Sequence, residues 1–299
     1  MKASGEKTSC PLCGGQENRK CFSERGHDVL VCRTCELFFI DPYYNDAQEK
    51  MQTRVYGTLN TQGPARHHAA SQWTLQRYFP AIERWFTGAQ SVLDIGCGPG
   101  NLLKLLGERM PHLRRVGVEL DAERAAFARA SAHCEVYEMP VEHFTSPGRF
   151  EVITMIDVLS HISSIGALFA ALRRLLAADG KLILKVGEMT PEVKKDAIYD
   201  WGIPDHLHFL GMHTIDHLCH KYGFTVVSHD RRLLSEELFS FGRWWGPGRN
   251  SARNVVKKVV AVTPFALSTL RRVYNRRHGT SVFSSLIVMS PLPEGSTPP

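Results

Sequence analysis

Residues 92–100 read Val-Leu-Asp-Ile-Gly-Cys-Gly-Pro-Gly, and this stretch decides the fold. An apolar run carrying Asp94 ends a strand of the buried type. Gly96, Gly98 and Gly100 then alternate through a tight turn, and Asn101-Leu-Leu-Lys-Leu-Leu opens a helix. Without a Cβ, glycines at this spacing let the backbone pass close to a ligand. The next apolar run ends in Glu119, nineteen residues after Gly100. A carboxylate at the end of a second strand can accept both hydroxyls of a ribose. A dinucleotide fingerprint orders its glycines GxGxxG. Here the order is GCGPG, with Pro99 where that fingerprint rarely places one, so NAD is disfavoured.

Working outward from the turn, strands and helices alternate. Ser91–Ile95, 115–119, 135–137, 151–156, 181–186 and 224–228 read as strands. Helices are expected between them at 101–109, 122–131, 165–177 and 212–222. Such alternation predicts an α/β fold with a mostly parallel sheet covered on both faces. Asp121 stands where a helix cap is needed. An isolated strand, 282–289, comes late. Between the last two strands, residues 231–278 carry eleven Lys/Arg against two Glu, although the whole chain is only +6. Apolar Val255, Val256, Val259 and Val260 lie beside Lys257 and Lys258, and Arg271, Arg272, Arg276 and Arg277 follow. This basic helical insertion can lie on a membrane surface or cover a large site. The simplest expectation is an amphipathic lid packed on its own domain.

Upstream, Cys10-Pro-Leu-Cys13 and Cys32-Arg-Thr-Cys35 are separated by eighteen residues. Four thiolates from two CxxC turns can converge on one tetrahedral zinc ion. With all four positions filled by cysteine no site is left open, so the zinc is expected to be structural. His27 between the pairs is not needed as a ligand. The other cysteines (Cys21, Cys97, Cys134 and Cys219) form no disulfide framework. Together with a polar start and no apolar run of membrane-spanning length, this predicts a cytoplasmic protein. The expected division is a zinc ribbon over 1–42, a helical cap or linker over 43–90, and a core over 91–299 with its insertion at about 231–278. Within the cap, Arg66 to Phe86 has near-helical apolar spacing, and Tyr56 and Arg66 are candidates to touch substrate.

Asp94, the GCGPG turn, Glu119, and the segments Asp157-Val-Leu-Ser-His161-Ile and Pro204-Asp-His206-Leu-His208-Phe together resemble class I S-adenosylmethionine (SAM)-dependent methyltransferases. The resemblance covers about 91–230. It is closest to the small-molecule, ubiquinone-biosynthesis-like group, some members of which carry N-terminal zinc modules. The resemblance implies a last strand inserted antiparallel and SAM as cofactor. It implies cofactor contacts from Asp94, Gly96, Gly98, Gly100, Glu119, Leu120 and Asp157, with Met139 or Val141 against the adenine. The expected reaction is in-line methyl transfer to a small-molecule acceptor, most often a hydroxyl: a natural product, a sugar or a lipid-like quinol. Such a reaction is chiefly a matter of alignment. A base is needed only where the nucleophile must lose a proton, and the candidates are His206, His161 and His208. In an extended segment His206 and His208 point the same way. A metal on these two and Asp205 is possible by spacing but lacks an acidic cluster.

Two other readings stay open. An RNA methyltransferase could use the ribbon and basic insertion for phosphate contact. Against a nucleic-acid partner, target-base motifs such as Asn-Pro-Pro-Tyr are absent. A non-catalytic SAM-binding scaffold is the other, and the intact turn with Glu119 argues for cofactor use.

Overall fold

The computed structural model describes residues 8–43, 72, 75–194, 201–239 and 252–293. Its centre is a seven-stranded sheet in the order β10-β11-β8-β7-β4-β5-β6. The strands are β4 (Ser91–Ile95), β5 (Arg114–Glu119), β6 (Glu135–Glu138), β7 (Phe150–Ile156), β8 (Leu176–Met189), β10 (Phe224–Leu233) and β11 (Val282–Pro291). β11 runs antiparallel to both β8 and β10, while β4 is parallel to β5 and β7. The expected mostly parallel sheet with an antiparallel last strand is therefore present.

The apolar run of β4 reflects burial on both faces: Val92, Leu93 and Ile95 are all in the core. Helices α1 (Asn101–Arg109), α2 (Ala122–Ala132), α3 (Ile165–Leu175) and α4 (Thr214–Tyr222) connect the strands. Asp121 caps α2 as expected, accepting from the Arg124 amide at 2.8 Å. Gly223 ends α4 at φ 69°. The helix before β8 ends at Leu175, earlier than its sequence pattern suggests. The chain through Asp179-Gly180 is already extended, with a register shift against β7.

β4 lies between β5 and β7, so the strand order reverses at its edge. In open α/β sheets that reversal opens a crevice beyond the carboxyl ends of the strands. The glycine turn leaves β4 there, and residues 157–161 leave β7 beside it.

Residues 8–43 form a second sheet, β1 (Asn18–Glu24), β2 (His27–Cys32) and β3 (Phe38–Asp41), completed by β9 (His208–Phe209). β9 lies in the chain after β8, so the cysteine-bearing unit is stitched into the larger domain. Phe38 pairs with Phe209 and Phe39 with His208. Apolar Leu12, Leu37 and Phe39 share one core with β4, β5, β7 and β8.

Of the expected helix 66–86, a helical segment over 75–82 and a 3-10 turn, Glu83–Phe86, are described. Leu75, Phe79, Ile82 and Phe86 turn inward against the sheet. Tyr56, Arg66 and Trp73 lie outside the described residues. Following β10 come α5 (Leu234–Leu238), α6 (Ala252–Val262) and α7 (Ala266–His278). Here the structure departs from the expected packing: Val255, Val256, Val259 and Val262 of α6 are all more than half exposed. The inward side of this hairpin is supplied by Ala261 and Tyr274.

Candidate cofactor and acceptor site

The turn after β4 takes the left-handed conformation at all three glycines, Gly96 (φ 65°), Gly98 (φ 54°) and Gly100 (φ 78°). Two of them are also required by space. A Cβ on Gly96 would lie 2.5 Å from Val158 Cγ2, and one on Gly100 3.0 Å from Ala128 Cβ. The turn is pinned by the Gly96 amide donating to the Val118 carbonyl at 2.7 Å.

Glu119 clasps this turn. One carboxylate oxygen accepts from the Gly98 amide at 2.8 Å and the other from the Asp121 amide at 3.0 Å. The side chain is buried, and burial raises its pKa while the two amide bonds oppose that rise. Each oxygen has spent one of its two lone pairs, so acceptor capacity for a pair of hydroxyls remains. Asp94 is buried too, and its carboxylate accepts from Thr154 Oγ1 of β7 at 2.6 Å. Burial pushes Asp94 up to about 7, with the Glu119 charge adding to the rise.

The flank of the crevice is apolar. Leu120 follows Glu119 and is 53% exposed, while Val141 is buried and Met139 partly so. An exposed leucine beside a buried carboxylate suits a ligand with a hydroxylated ring and a flat apolar base. The Gly-turn backbone, Glu119 and this apolar edge therefore fit an adenosyl group.

Asp157 takes φ 58°, and its carboxylate accepts from Lys185 Nζ at 2.7 and 2.8 Å. Tyr78, from the helical segment 75–82, lies within the electrostatic reach of Asp94 and Asp157. Burial and then these two charges raise its phenol well above the usual value. Tyr78, Arg77, Lys185, Arg232, Glu236 and Glu237 border a cavity of about 150 Å³. Tyr78 falls within the helical spacing of 66–86, and only the fold brings it near Asp94 and Asp157.

The three histidines of two separate segments converge. His161 closes a 3-10 turn, Leu159–His161, directly after Val158, which packs on Gly96. The His161 and His206 rings are 4.6 Å apart. His161 Nδ1 is 3.0 Å from the Asp205 carbonyl, and His206 Nδ1 is 2.7 Å from the Trp201 carbonyl. A carbonyl only accepts, so both Nδ1 atoms carry protons and Nε2 is the basic atom of each neutral ring. Burial lowers His206 to about 4, and His161 contributes to the lowering.

His208 is the most enclosed of the three. It is 1% exposed, with Nδ1 3.3 Å from the Tyr43 hydroxyl, and burial lowers it to about 3. Strand β9 is only two residues long, and the His206 amide instead closes a turn on the Gly202 carbonyl at 3.0 Å. The strand alternation assumed from sequence does not extend back to His206.

The four cysteines come together as their spacing implies. Cys10 and Cys35 sulfurs are 3.6 Å apart, and those of Cys13 and Cys32 are 3.5 Å apart. A tetrahedral zinc with Zn–S near 2.3 Å sets sulfurs about 3.8 Å apart, close to this arrangement. Amides of Gly15 and Thr34 donate to Cys13 and Cys32 sulfurs, each at 3.4 Å, as thiolates require. The cluster is tied to α4, where Thr214 Oγ1 donates to the Cys35 carbonyl at 2.9 Å and Lys221 donates to the Leu12 carbonyl.

Comparison with known proteins agrees with this geometry. The chain is 28% identical over 156 residues to a ubiquinone biosynthesis O-methyltransferase of Psychrobacter arcticus, covering 46% of this chain and 59% of that one. It is 31% identical over 106 residues to the polyketide synthase ThaQ of Burkholderia thailandensis, covering 33% of this chain and 5% of that much longer one. The chain thus matches only part of each relative's length. Among solved structures, the StiE O-MT superposes with TM-score 0.52 at 15% identity, covering 74% of this chain and 75% of that one. A geranyl diphosphate C-methyltransferase of Streptomyces coelicolor, solved with S-adenosyl-L-homocysteine, superposes with TM-score 0.51 at 15% identity, covering 73% and 81%. At such identities the likeness is one of fold. The profile of the family described as "Methyltransferase domain" matches residues 65–229, more than half of the sequence, and the chain belongs to that family.

Proposed function

We propose that this protein is a SAM-dependent methyltransferase acting on a small molecule, with a hydroxyl as the accepting group. The observation that carries the reading is the Glu119 carboxylate, buried at the topological switch point and bonded to the Gly98 amide at 2.8 Å. In this reading the glycine turn and Glu119 hold the methionine and ribose portions. Leu120, Met139 and Val141 cover the adenine, with Asp94 and Asp157 shaping the floor. When bound, the sulfonium supplies an electrophilic methyl group.

The chain's own part is alignment and a proton path. Tyr78 and Lys185, whose Nζ is held by Asp157, border the cavity that would receive the acceptor. His206 and His161, with Nδ1 of each held on a backbone carbonyl, have Nε2 as the basic atom. A hydroxyl that took up this methyl would have to give up its proton, and His206 or His161 would accept it at Nε2. His206, lowered to about 4 by burial, is a weak base, and a proton released only as the bond forms needs no stronger one. The names of the Psychrobacter relative and the StiE O-MT support oxygen as the accepting atom. The four cysteines hold a structural zinc ion that fixes the ribbon against α4 and β9.

The test is transfer of label from methyl-labelled SAM to a panel of phenols, quinols, hydroxy acids and sugars. A methylated product lost in Tyr78→Phe, His161→Ala or His206→Ala variants supports the reading. Tight SAM binding with no transfer to any panel member would leave a SAM-binding scaffold as the better description.

A further inference from the structure

The helical hairpin α6–α7 is amphipathic in an inverted sense. At 3.6 residues per turn, Val255, Val256, Val259 and Val262 fall within an arc of about 120°, with Ala261 well round the other side. The valines are 55–61% exposed and Ala261 is 9% exposed, so the apolar stripe faces away from the protein. Phe265, at the tip between the helices, is 81% exposed. Val273 of α7 is 56% exposed, and its exposed neighbours on that helix are Arg272, Arg276 and Arg277. The opposite side of α7 is anchored: Tyr274 packs against Phe239 at 5.4 Å, and Arg271 pairs with Glu236 at 3.8 Å.

Exposed apolar stripes of this kind mark contact surfaces, and the charge says with what. Residues 252–278 contain seven Lys/Arg and neither Asp nor Glu. A second copy of the chain, meeting this face symmetrically, would set the same cations against each other. Nucleic acid would pair with the cations but leaves the valine stripe unused. An anionic bilayer satisfies both, taking apolar side chains into the acyl boundary and cations at the head groups. Among the described residues no helix is long and apolar enough to cross a membrane.

We propose that α6–α7 docks this protein on an anionic lipid surface through the outward valine stripe and Phe265, with Arg272, Arg276 and Arg277 against the head groups. Glu236, which holds Arg271 on the anchored side of α7, also borders the cavity beside Tyr78 and Lys185, so the hairpin is tethered at the rim of the proposed acceptor site while its docking face turns away from it. The docking itself does not depend on methyl transfer.

The experiment is co-sedimentation of the full chain with vesicles of phosphatidylcholine alone or mixed with phosphatidylglycerol, at low and high salt. Retention is expected on the mixed vesicles and is expected to fall with salt. Replacing Arg272, Arg276 and Arg277 by Gln should weaken it on the order of a hundredfold. Val256→Asp and Val259→Asp should each weaken it by at least roughly tenfold. Phe265→Ser serves as a second apolar variant should either valine change lower the melting temperature. No retention on mixed vesicles would overturn the proposal, as would equal retention on neutral ones. Retention unaffected by all three apolar variants would overturn it too, pointing to a purely anionic partner such as RNA. A dimer dispersed by the valine variants, without vesicle binding, would assign the face to a second copy.

Discussion

The Gly98 amide donates to the Glu119 carboxylate at 2.8 Å, joining the turn after β4 to the end of β5. The acid therefore shapes the turn and also keeps lone pairs for a ligand. Glu119→Ala removes both functions, and affinity for SAM is expected to fall roughly ten- to a hundredfold, the range for losing charge-assisted bonds. Glu119→Gln, which keeps one acceptor oxygen, should fall between the two. Equilibrium dialysis with labelled SAM reads the order; unchanged affinity in Glu119→Ala would remove it from the ribose site.

Gly96 tests the turn without touching a charge. Gly96→Ala places a methyl 2.5 Å from Val158 Cγ2 at φ 65°, and a loss of about 1–3 kcal/mol in unfolding free energy is expected. Val158→Ala should recover part of that loss by opening the space, leaving the backbone strain. A denaturant double-mutant cycle measures the coupling, and strictly additive effects would contradict the contact.

Asp94 gives a pH signature. Its carboxyl titrates near 7 in the folded protein against an ordinary 3.8, because burial disfavours the charge. From about pH 4 upward the unfolded chain has released this proton while the folded protein keeps it. This group's stabilising contribution is thus full below the unfolded value and is lost as pH rises through about 7. Asp94→Asn retains an acceptor for Thr154 and removes that slope. Thermal melts across pH 4–8 should show the variant gaining on the parent as pH rises; parallel curves would count against the shift.

The histidines separate by role. His206→Ala should leave SAM affinity within about twofold and lower turnover on the order of a hundredfold, the lower range for a positioned base. His208→Ala should act mainly on stability, by roughly 1–3 kcal/mol, because it opens space in the interior and removes a buried bond to the Tyr43 hydroxyl, which keeps only the Ser163 carbonyl. Single-turnover rates and denaturant curves on both variants distinguish the two. The reverse pattern would exchange their assignments.

Metal removal should reach past the ribbon. Because β3 pairs with β9 and Thr214 bonds to the Cys35 carbonyl, Cys32→Ser or a strong chelator is expected to loosen the 208–214 segment as well. Zinc content by elemental analysis and hydrogen exchange over 203–215 test this. Full zinc in Cys32→Ser, or unchanged exchange after zinc loss, would contradict it.

What was legible in the chain was local. Val92–Gly100, the caps at Asp121 and Gly223, and the CxxC spacing each impose their structure over a few residues, and those elements stand where the pattern puts them. The approximate strand ends fell short where pairing, not propensity, extends the strand: β10 runs to Leu233 because Arg231, Arg232 and Leu233 find partners on β11. The near-helical spacing of 66–86 says nothing of what Tyr78 faces, because only the fold brings that segment near Asp94 and Asp157. The enclosure of His208 depended on a two-residue strand paired with Phe39, a contact 169 residues distant in sequence. The outward valines of α6 could not be told from inward ones by period, since the same 3.6-residue stripe serves either side.

The central claim, that the Glu119–glycine turn is a SAM site, is tested most directly by calorimetric titration of the full chain with SAM and with S-adenosylhomocysteine. One site per chain is expected for each, in the micromolar range, with NAD giving no heat. Absence of binding by a folded, zinc-loaded protein, or NAD binding in place of SAM, would contradict it.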